Sequence, residues 1–366
     1  MPPAYAVERS APAAVRADLE RLWDSVLTLD VHPADKFAWL YAEAPQVPDT
    51  VLMLRGDGAL VGTAGVGVRR FQLGDATVTA GLLADLAVEK AHRSVGPALA
   101  LVRAGKALVD ERHALAYGFP NRLAEGVFKR AGYQVLGTIG RHVRPLRHAS
   151  FVDKLDDQHL ARLPAAARPL ARRAAQTPAL VAIAGRVVDA ALLVGSARAT
   201  LTSTARLVLA DAPRPDADHD ALWDAARGRY TIVGERTRRF LAWRFLPRPG
   251  RAFWTARTRD GELRAYAVVD RQGDTAFIRD LFGHPDDVVA LLARLPLIQY
   301  LAGASSLAMR YLGARWVVDA LAACGFASRP STRTIVATAG ATCPAGAVAQ
   351  VGDAASWHLT DADEDT

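Results

Sequence analysis

The hydrophobic and polar positions of this chain predict two successive α/β units. In the first unit, short apolar runs predict strands and longer runs with helical periodicity predict helices. The strands are predicted at Tyr5–Arg9, Val51–Arg55, Ala59–Arg69, Ala76–Gly81, Leu82–Val88 and Ala114–Phe119. The helices are predicted at Pro12–Leu29, Ser94–Arg112 and Asn121–Ala131, the last ended by Gly132. Asp57-Gly58 predicts a hairpin turn within a meander, so we expect an α+β fold with a mostly antiparallel sheet flanked by helices.

The second half of the chain repeats this order. Paired strands at Ala252–Thr258 and Leu263–Arg271 lead to a central strand, a helix, a further strand and a helix. These last four elements are predicted at Ala276–Phe282, Asp286–Leu301, Ser306–Tyr311 and Arg315–Ala323. Gly325-Phe326 then repeats the earlier Gly132-Tyr133 pair. The pattern therefore predicts a tandem copy of one fold. Trp357–Thr360 is expected to form a last strand, followed by a solvated acidic tail, Asp361–Asp365.

A basic segment separates the two units. Between Gln158 and Ala210 there are seven arginines and one acid, Asp189. We interpret this segment as a linker leading into a helix at Leu180–Val194, before a loop at Asp211–Asp220. Arg186 and Asp189 argue against a membrane span, because each would cost about 3 kcal/mol near the bilayer centre. Two interpretations stay open: a helix packed on a domain, or residues 158–210 in peripheral contact with an anionic membrane. The expected domains are 1–146, 147–220 and 221–366.

Composition narrows the class of protein. The 366 residues carry a net charge of +7, with 51% hydrophobic and 23% charged residues, which indicates a globular protein of more than one domain. The arginines come without interleaved aromatics, so we expect no nucleic-acid partner. Cys324 and Cys343 provide neither a disulfide framework nor metal-ligand spacing. The N-terminus lacks an apolar signal-peptide region and carries Glu8. We therefore expect a cytoplasmic location, at most peripheral to the inner face of a membrane.

The first unit contains a motif suited to binding phosphate. An apolar strand, Leu82–Val88, runs into Arg93-Ser94-Val95-Gly96-Pro97-Ala98 and then into a helix. The first N–H groups of a helix have no partner within it, and its positive dipole end attracts an anion. Gly96 permits close approach of a ligand, although Pro97 lacks an N–H. The motif thus predicts an anion site beside Arg93.

This motif resembles the (Gln/Arg)-x-x-Gly-x-(Gly/Ala) signature of the GNAT acyltransferase superfamily. Asn121, Ala124, Gly132 and Tyr133 match the spacing of that family's next motif. The resemblance covers residues 1 to 145 and implies acyl-CoA, acetyl-CoA or a longer form, held where two parallel strands splay apart, with no metal. By this resemblance, pantetheine and pyrophosphate would contact Leu86, Ala87, Val88, Arg93, Ser94, Val95, Gly96, Ala98 and Asn121.

The acid and base of such a reaction are less clear from the residues. Asp85 lies inside an apolar strand, where burial would raise its pKa toward a useful range, and Glu89 lies just beyond. The alternative is that Asp85 is structural and Glu89 a solvated surface charge. Many family members carry a tyrosine general acid seven residues after the asparagine, but Phe128 stands there. The proton for the leaving thiolate must then come from water or from another group, for which Tyr117, Tyr133 and His92 are the candidates and Tyr117 is the one we predict to be catalytic.

The second unit lacks the phosphate motif, because Phe282-Gly283-His284-Pro285-Asp286 places an acid where pyrophosphate would lie. We interpret it as a degenerate GNAT-like domain that shapes the acceptor pocket. Trp243, Arg244 and Arg279 are the predicted acceptor-binding residues. The alternatives are an interdomain anchor for Trp243 and a structural ion pair between Arg279 and Asp280.

The resemblance extends to tandem GNAT proteins encoded with bacterial exopolysaccharide genes. It rests on His92–Leu99, Gly118–Asn121 and Trp243-Arg244, and it implies N-acylation of an amino sugar or polysaccharide precursor. Two other hypotheses stay open. One is a FemAB-like aminoacyl transferase, against which the phosphate motif argues. The other is a non-catalytic CoA-binding or scaffold protein of a membrane-associated synthase, which Phe128 favours.

Overall fold

A computed structural model describes residues 4–147 and 207–365 of the chain. The predicted helix at Leu180–Val194 and most of the basic segment lie outside the described residues. Within the described part, no helix is long and apolar enough to cross a bilayer.

The first half builds a twisted sheet with helices on both faces. Its strands are β1 (Tyr5–Ser10), β2 (Val51–Gly56), β3 (Ala59–Leu73), β4 (Ala76–Val88), β5 (Leu115–Gly118), β6 (Gln134–Thr138) and β7 (Gly140–Pro145). Its helices are α1 (Arg16–Val26), α2 (Pro33–Tyr41), α3 (Val95–Arg112) and α4 (Arg122–Arg130). Strands β1 to β4 form the predicted antiparallel meander. Helices α1 and α2 belong to one core cluster, whereas α3 packs in the clusters on the opposite face.

The central strands β4 and β5 separate part of the way along their length. They pair in parallel from Ala80 and Leu115 to Leu83 and Gly118. Beyond Leu83, β4 continues to Val88 and pairs only with β3 among the described residues. The edge of β4 that faces β5 is therefore left without a neighbouring strand, as the GNAT resemblance leads one to expect.

The second half repeats this arrangement. Its elements begin with β8 (Leu207–Ala212), α5 (Ala217–Ala226), β9 (Ile232–Gly234), α6 (Arg238–Phe245), β10 (Ala252–Thr258), β11 (Leu263–Gln272) and β12 (Thr275–Gly283). They continue with α7 (Pro285–Leu301), β13 (Ser306–Gly313), α8 (Arg315–Ala323), β14 (Ala327–Arg329), β15 (Thr334–Ala339), α9 (Val348–Val351) and β16 (Trp357–Leu359). Strands β12 and β13 pair in parallel from Thr275 and Ser306 to Ile278 and Met309, and then separate.

The two halves exchange strands. Strand β15, from the second half, lies between β5 and β6 of the first. In return β7, from the first half, pairs with β13 and β14 of the second. Each sheet is therefore completed by a strand from the other half of the sequence.

The segment after β15 joins the two sheets. Strand β16 pairs with β13 on one side and with β9 on the other, and β9 pairs with the end of β3. Its Trp357, His358 and Leu359 are all fully buried. The predicted last strand is present, but the acidic tail that follows is not solvated. Asp361, Asp363 and Glu364 are at most 6% exposed, because arginines pair with all three.

Several elements differ from the sequence prediction, and three of them bear on the sites described below. Ala76–Gly81 and Leu82–Val88 form one continuous strand, β4, since Gly81 continues the ladder opposite Val68. Helix α2 was not predicted from the sequence. The expected loop at Asp211–Asp220 contains the start of α5, where the Asp216 side chain accepts a hydrogen bond from the Asp218 N–H and caps the helix.

Candidate active site

A cleft of about 650 Å³ opens where β4 and β5 separate. Its walls come from β4, from the turn into α3, from the start of α4 and from the loop after α1. Among the residues predicted to bind acyl-CoA, the structure places in this cleft Leu86, Val88, Arg93, Ser94, Val95, Ala98 and Asn121. Ala87 lies between two of them on β4 but is buried. Gly96 lies in the first turn of α3, and a Cβ added to it would meet no heavy atom within 4 Å.

The turn before α3 is held by Arg93. Its Nε donates to the Val88 carbonyl at 3.1 Å, and its Nη2 donates to the Val26 carbonyl at 3.2 Å. The guanidinium thus ties the end of β4 to the end of α1. Ser94 is the N-cap of α3, yet its side chain makes no capping hydrogen bond. The first N–H groups of α3 consequently face the cleft without a side-chain cap, which suits an anion.

Asn121 has a structural function at the opposite wall. Its Oδ1 accepts hydrogen bonds from the N–H groups of Leu123 and Ala124, both at 3.0 Å, and so caps α4. The cap fixes the start of α4 beside the cleft.

Asp85 and Leu86 lie at a bulge in β4, and their side chains point to different sides of the sheet. The register of β3 and β4 shifts between Thr63 and Gly65, and Asp85 has a φ of 54°. A left-handed backbone is uncommon for a residue other than glycine, so the bulge is a specific feature of the strand. Leu86 lines the cleft, whereas the Asp85 side chain faces α2.

Asp85 forms a buried cluster with two residues of α2. Lys36 Nζ lies 2.9 Å from Asp85 Oδ1, and Tyr41 donates its hydroxyl to Asp85 Oδ2 at 2.9 Å. The side chains of Lys36 and Asp85 are 6% and 2% exposed. Burial raises the pKa of Asp85 above its usual value, while the Lys36 ammonium opposes that rise. Lys36 and Tyr41 thus hold the Asp85 carboxylate in place, although burying its charge is energetically unfavourable.

The other predicted acids and bases lie away from the cleft lining. Tyr117 is fully buried and donates its hydroxyl to the Asp363 carbonyl at 3.1 Å, and burial raises its pKa far above the usual value. Glu89 is half-buried at the end of β4. His92 bonds the Tyr5 hydroxyl through Nδ1 at 3.0 Å. Phe128 packs edge-on against Tyr133, whose hydroxyl has no hydrogen-bond partner among the described residues.

A second cavity of about 360 Å³ lies between α2 and the end of α6, and we call it the α2–α6 pocket. It is lined by Val31, Asp35, Lys36, Ala38, Trp39, Glu43, Arg244, Pro247 and Arg248. Arg244, one of the predicted acceptor-binding residues, is therefore in its wall. Lys36 connects this pocket with Asp85, the residue next to Leu86 in the cleft. The loop between α1 and α2 lines both cavities, the cleft through Thr28 and the α2–α6 pocket through Val31.

Trp243 anchors the two halves to each other. Its ring stacks on Trp39 with centroids 4.5 Å apart and planes 4° apart. Each indole N–H donates to the other residue's carbonyl, at 2.7 and 3.2 Å. Arg69 covers Trp243 at 4.5 Å. The geometry matches the interdomain anchor we weighed for Trp243, and it fixes one wall of the α2–α6 pocket.

The corresponding gap in the second half is filled by the chain itself. Arg279, on β12, pairs with Asp270 at 2.9 Å and with Asp361 of the tail at 2.7 Å. Asp280 pairs with Arg236, not with Arg279, and accepts the Thr360 hydroxyl at 2.7 Å. His358 contacts the Leu281 carbonyl at 2.8 Å. Residues 357–364 thus occupy the space between β12 and β13, and Arg279 is a structural partner of the tail.

Sequence reasoning missed Lys36 and Tyr41. The signal that could have found them is the periodicity of Pro33, Phe37, Leu40 and Tyr41, buried along one face of α2 after a proline at its first turn. Among the described residues, no group of three or more His, Cys, Asp or Glu could hold a metal ion.

This topology, with its separated central strands and the cleft between them, is the fold of the GCN5-related N-acetyltransferases. Three solved structures share it across most of the chain. A protein of unknown function from Enterococcus faecalis, described as a probable N-acyltransferase, is 10% identical with a TM-score of 0.62, covering 93% of this chain and 73% of its own.

A GCN5-related N-acetyltransferase from Anabaena variabilis is 11% identical with a TM-score of 0.61, covering 91% of this chain and 73% of its own. Eis1 from Mycobacterium abscessus is 15% identical with a TM-score of 0.55, covering 91% of this chain and 73% of its own. No protein-family model and no curated protein sequence matches the chain.

Proposed function

We propose that this protein is an acyl-CoA-dependent N-acyltransferase that transfers an acyl group, acetyl in the simplest case, to the amine of a small acceptor. The observation that carries the proposal is the open cleft of about 650 Å³ between β4 and β5, which ends at the uncapped N-terminus of α3. Acceptors of the amino-sugar or polysaccharide-precursor class fit the resemblance noted above. A cytoplasmic location agrees with two free cysteines, Cys324 and Cys343.

In this proposal the donor lies along the free edge of β4. The pantetheine amides pair with backbone groups of Leu86–Val88, as a strand would, because β4 has no described partner on that side. The pyrophosphate lies at the first turn of α3, where the N–H groups and the helix dipole attract its charge. Arg93 holds the turn in shape through two carbonyls and adds positive charge beside it.

The acceptor approaches from the α2–α6 pocket, and its nitrogen attacks the thioester carbonyl carbon. Before this attack the acceptor ammonium releases one proton to water, because only the neutral amine is a nucleophile. A C–N bond then forms, the C–S bond breaks, and the nitrogen loses its second proton. Asp85 is the base we propose to take that proton through Lys36, which lines the α2–α6 pocket and lies 2.9 Å from the Asp85 carboxylate. Burial raises the pKa of Asp85, which makes its carboxylate a better proton acceptor than an exposed one. Phe128 supplies no proton, so the thiolate takes one from water, which a thiol pKa of about 8.5 allows.

The donor site is tested by calorimetric binding of acetyl-CoA to the wild type and to Gly96→Glu. A Cβ at this position meets no described heavy atom within 4 Å, so we expect the fold to be retained, while the carboxylate repels a pyrophosphate at the helix start. We expect one acetyl-CoA per chain in the wild type, and binding at least about tenfold weaker in the variant, or ~1.4 kcal/mol.

Gly228→Glu is the matched control, since it adds the same charge at a second open glycine, located in the second half. It should bind acetyl-CoA as the wild type does. Absence of acetyl-CoA binding by the wild type would refute the proposed function. Equal weakening by both variants would refute the placement of pyrophosphate at α3.

A further inference from the structure

The α2–α6 pocket has one basic wall and one acidic wall. The basic wall comes from the second half, through Arg244 at the end of α6 and Arg248 just after it. The acidic wall comes from the first half, through Asp35 in the first turn of α2 and Glu43 beyond its end. The pocket thus separates opposite charges across a volume of about 360 Å³.

Arg244 is poorly neutralised by the protein. Its side chain donates to the carbonyls of Asp361 and Ala362, and it forms no salt bridge with a described residue. Burial and the neighbouring Arg251 lower its pKa to about 9. The carboxylates nearest to it, on Asp361 and Glu364, already pair with other arginines. An anionic group in the pocket would therefore find an unsatisfied cation.

Three of the four other charged residues in the pocket lining are also available to a ligand. Arg248, Asp35 and Glu43 are exposed, and none of them forms an ion pair within the described ranges 4–147 and 207–365. Lys36, in contrast, is committed to Asp85 and to the Asp365 carbonyl. The wall of α2 therefore offers two carboxylates to a ligand cation, and the wall of α6 offers two guanidinium groups to a ligand anion.

We propose that the α2–α6 pocket selects acceptors that carry both an amine and an anionic group, either a carboxylate or a phosphate. The anion contacts Arg244 and Arg248, and the ammonium is attracted by Asp35 and Glu43 before it passes toward Asp85. This inference rests on the proposed function and specifies its acceptor class. An acceptor with only one of these charges leaves the opposite wall unpaired, and therefore binds less tightly.

The test is calorimetric binding without any acyl-CoA, so that its result is independent of donor binding and turnover. Glucosamine 6-phosphate probes the phosphate source of the anion, and glucosaminuronic acid probes the carboxylate source. Glucosamine, glucose 6-phosphate and glucuronic acid are the matched single-charge references. We expect at least one of the two doubly charged sugars to bind tenfold more tightly than each of its own references.

The variant is Arg248→Glu, which changes an exposed side chain that forms no hydrogen bond or ion pair in the part of the chain that the structure describes. We expect it to weaken binding of the doubly charged sugar at least tenfold. Arg259→Glu is the control, since it reverses an exposed arginine in the turn between β10 and β11 and should leave binding unchanged. Equal affinity for the doubly and singly charged sugars, or no effect of Arg248→Glu, would overturn the inference. Loss of acetyl-CoA binding alone would count against the proposed function instead.

Discussion

Lys36 is the residue on which the charge state of Asp85 depends. The two groups lie 2.9 Å apart, and both are almost completely buried. Removing one member of a buried pair leaves the other without compensation, which costs more than the pair contributes. The strand that contains Asp85 was predicted, but its partner Lys36 was not, because α2 is remote in sequence and the periodicity of its buried face does not indicate which strand it packs against.

We predict that Lys36→Met lowers the free energy of unfolding at pH 7 by about 3 to 5 kcal/mol, because Asp85 is left as an unpaired buried carboxylate. Without Lys36, burial and the Asp365 charge still raise the pKa of Asp85 and only the Tyr41 hydroxyl opposes them, so that pKa rises further. The folded state then binds more protons than the unfolded state, and stability falls as the pH rises. Urea denaturation between pH 5 and pH 8 measures this slope.

The double variant Lys36→Met/Asp85→Asn is the control for this slope. It removes the titrating carboxyl, so it should be more stable than Lys36→Met at pH 8 and show a smaller dependence on pH. Similar slopes for the single and double variants would show that Asp85 is not the titrating group.

His358 predicts a pH effect of the opposite sign. Burial, together with the nearby Arg236 charge, lowers the pKa of this histidine to about 4, although the Leu281 carbonyl at 2.8 Å opposes that shift. Below pH 6.5 the unfolded chain binds a proton that the folded chain excludes. Stability is therefore lost as the pH falls from 6.5 to 4, by about 3 kcal/mol in total.

Thermal unfolding across this range, for the wild type and for His358→Gln, measures the contribution of His358. The variant should be less stable at pH 7 and should lose less stability on acidification. An acid-induced loss in the variant as large as that of the wild type would assign the effect to other groups.

At the scale of elements, the local sequence pattern predicted the positions of many strands and helices. The burial of other segments depends on tertiary pairing with residues that are distant in sequence. Strands β10 and β11 and helix α8 lie where alternation and helical periodicity predicted them, because these elements have a clear apolar face. The tail was predicted correctly as a strand at Trp357 but wrongly as solvated after it. Its acids pair with Arg236, Arg279, Arg310 and Arg333, which are distant in sequence, so no local signal revealed their burial.

The candidate site divides in the same way. The cleft residues at the turn into α3 were found because a helix start after a strand has a readable motif. The α2–α6 pocket was found only in part, through Arg244, because its opposite wall comes from the other half of the chain. Residues that line one pocket from two distant segments have no characteristic spacing in the sequence.

At the scale of the whole molecule, the exchange of β7 and β15 predicts a single folding unit. A fragment of residues 1–146 lacks β15, which pairs with both β5 and β6. Those two strands would therefore each have an unpaired edge. We predict that this fragment does not fold, whereas the full chain unfolds in one cooperative transition. Circular dichroism during thermal denaturation of both proteins checks this.

Co-expression of residues 1–146 with residues 207–366 is the matching rescue. The second fragment supplies β15 and β16, so the two should associate and recover the spectrum of the full chain. A folded and monomeric 1–146 fragment would contradict the prediction.

The same exchange sets an order of events during synthesis. The ribosome finishes β6 at Thr138 but does not reach the end of β15 until Ala339. At ordinary elongation rates that interval is roughly 10 to 40 s. During this time the nascent first half exposes two strand edges that have no partner, which makes it prone to aggregation. We therefore expect chaperones to protect the nascent chain between the synthesis of β6 and that of β15, even though β15 covers both strand edges in the finished fold.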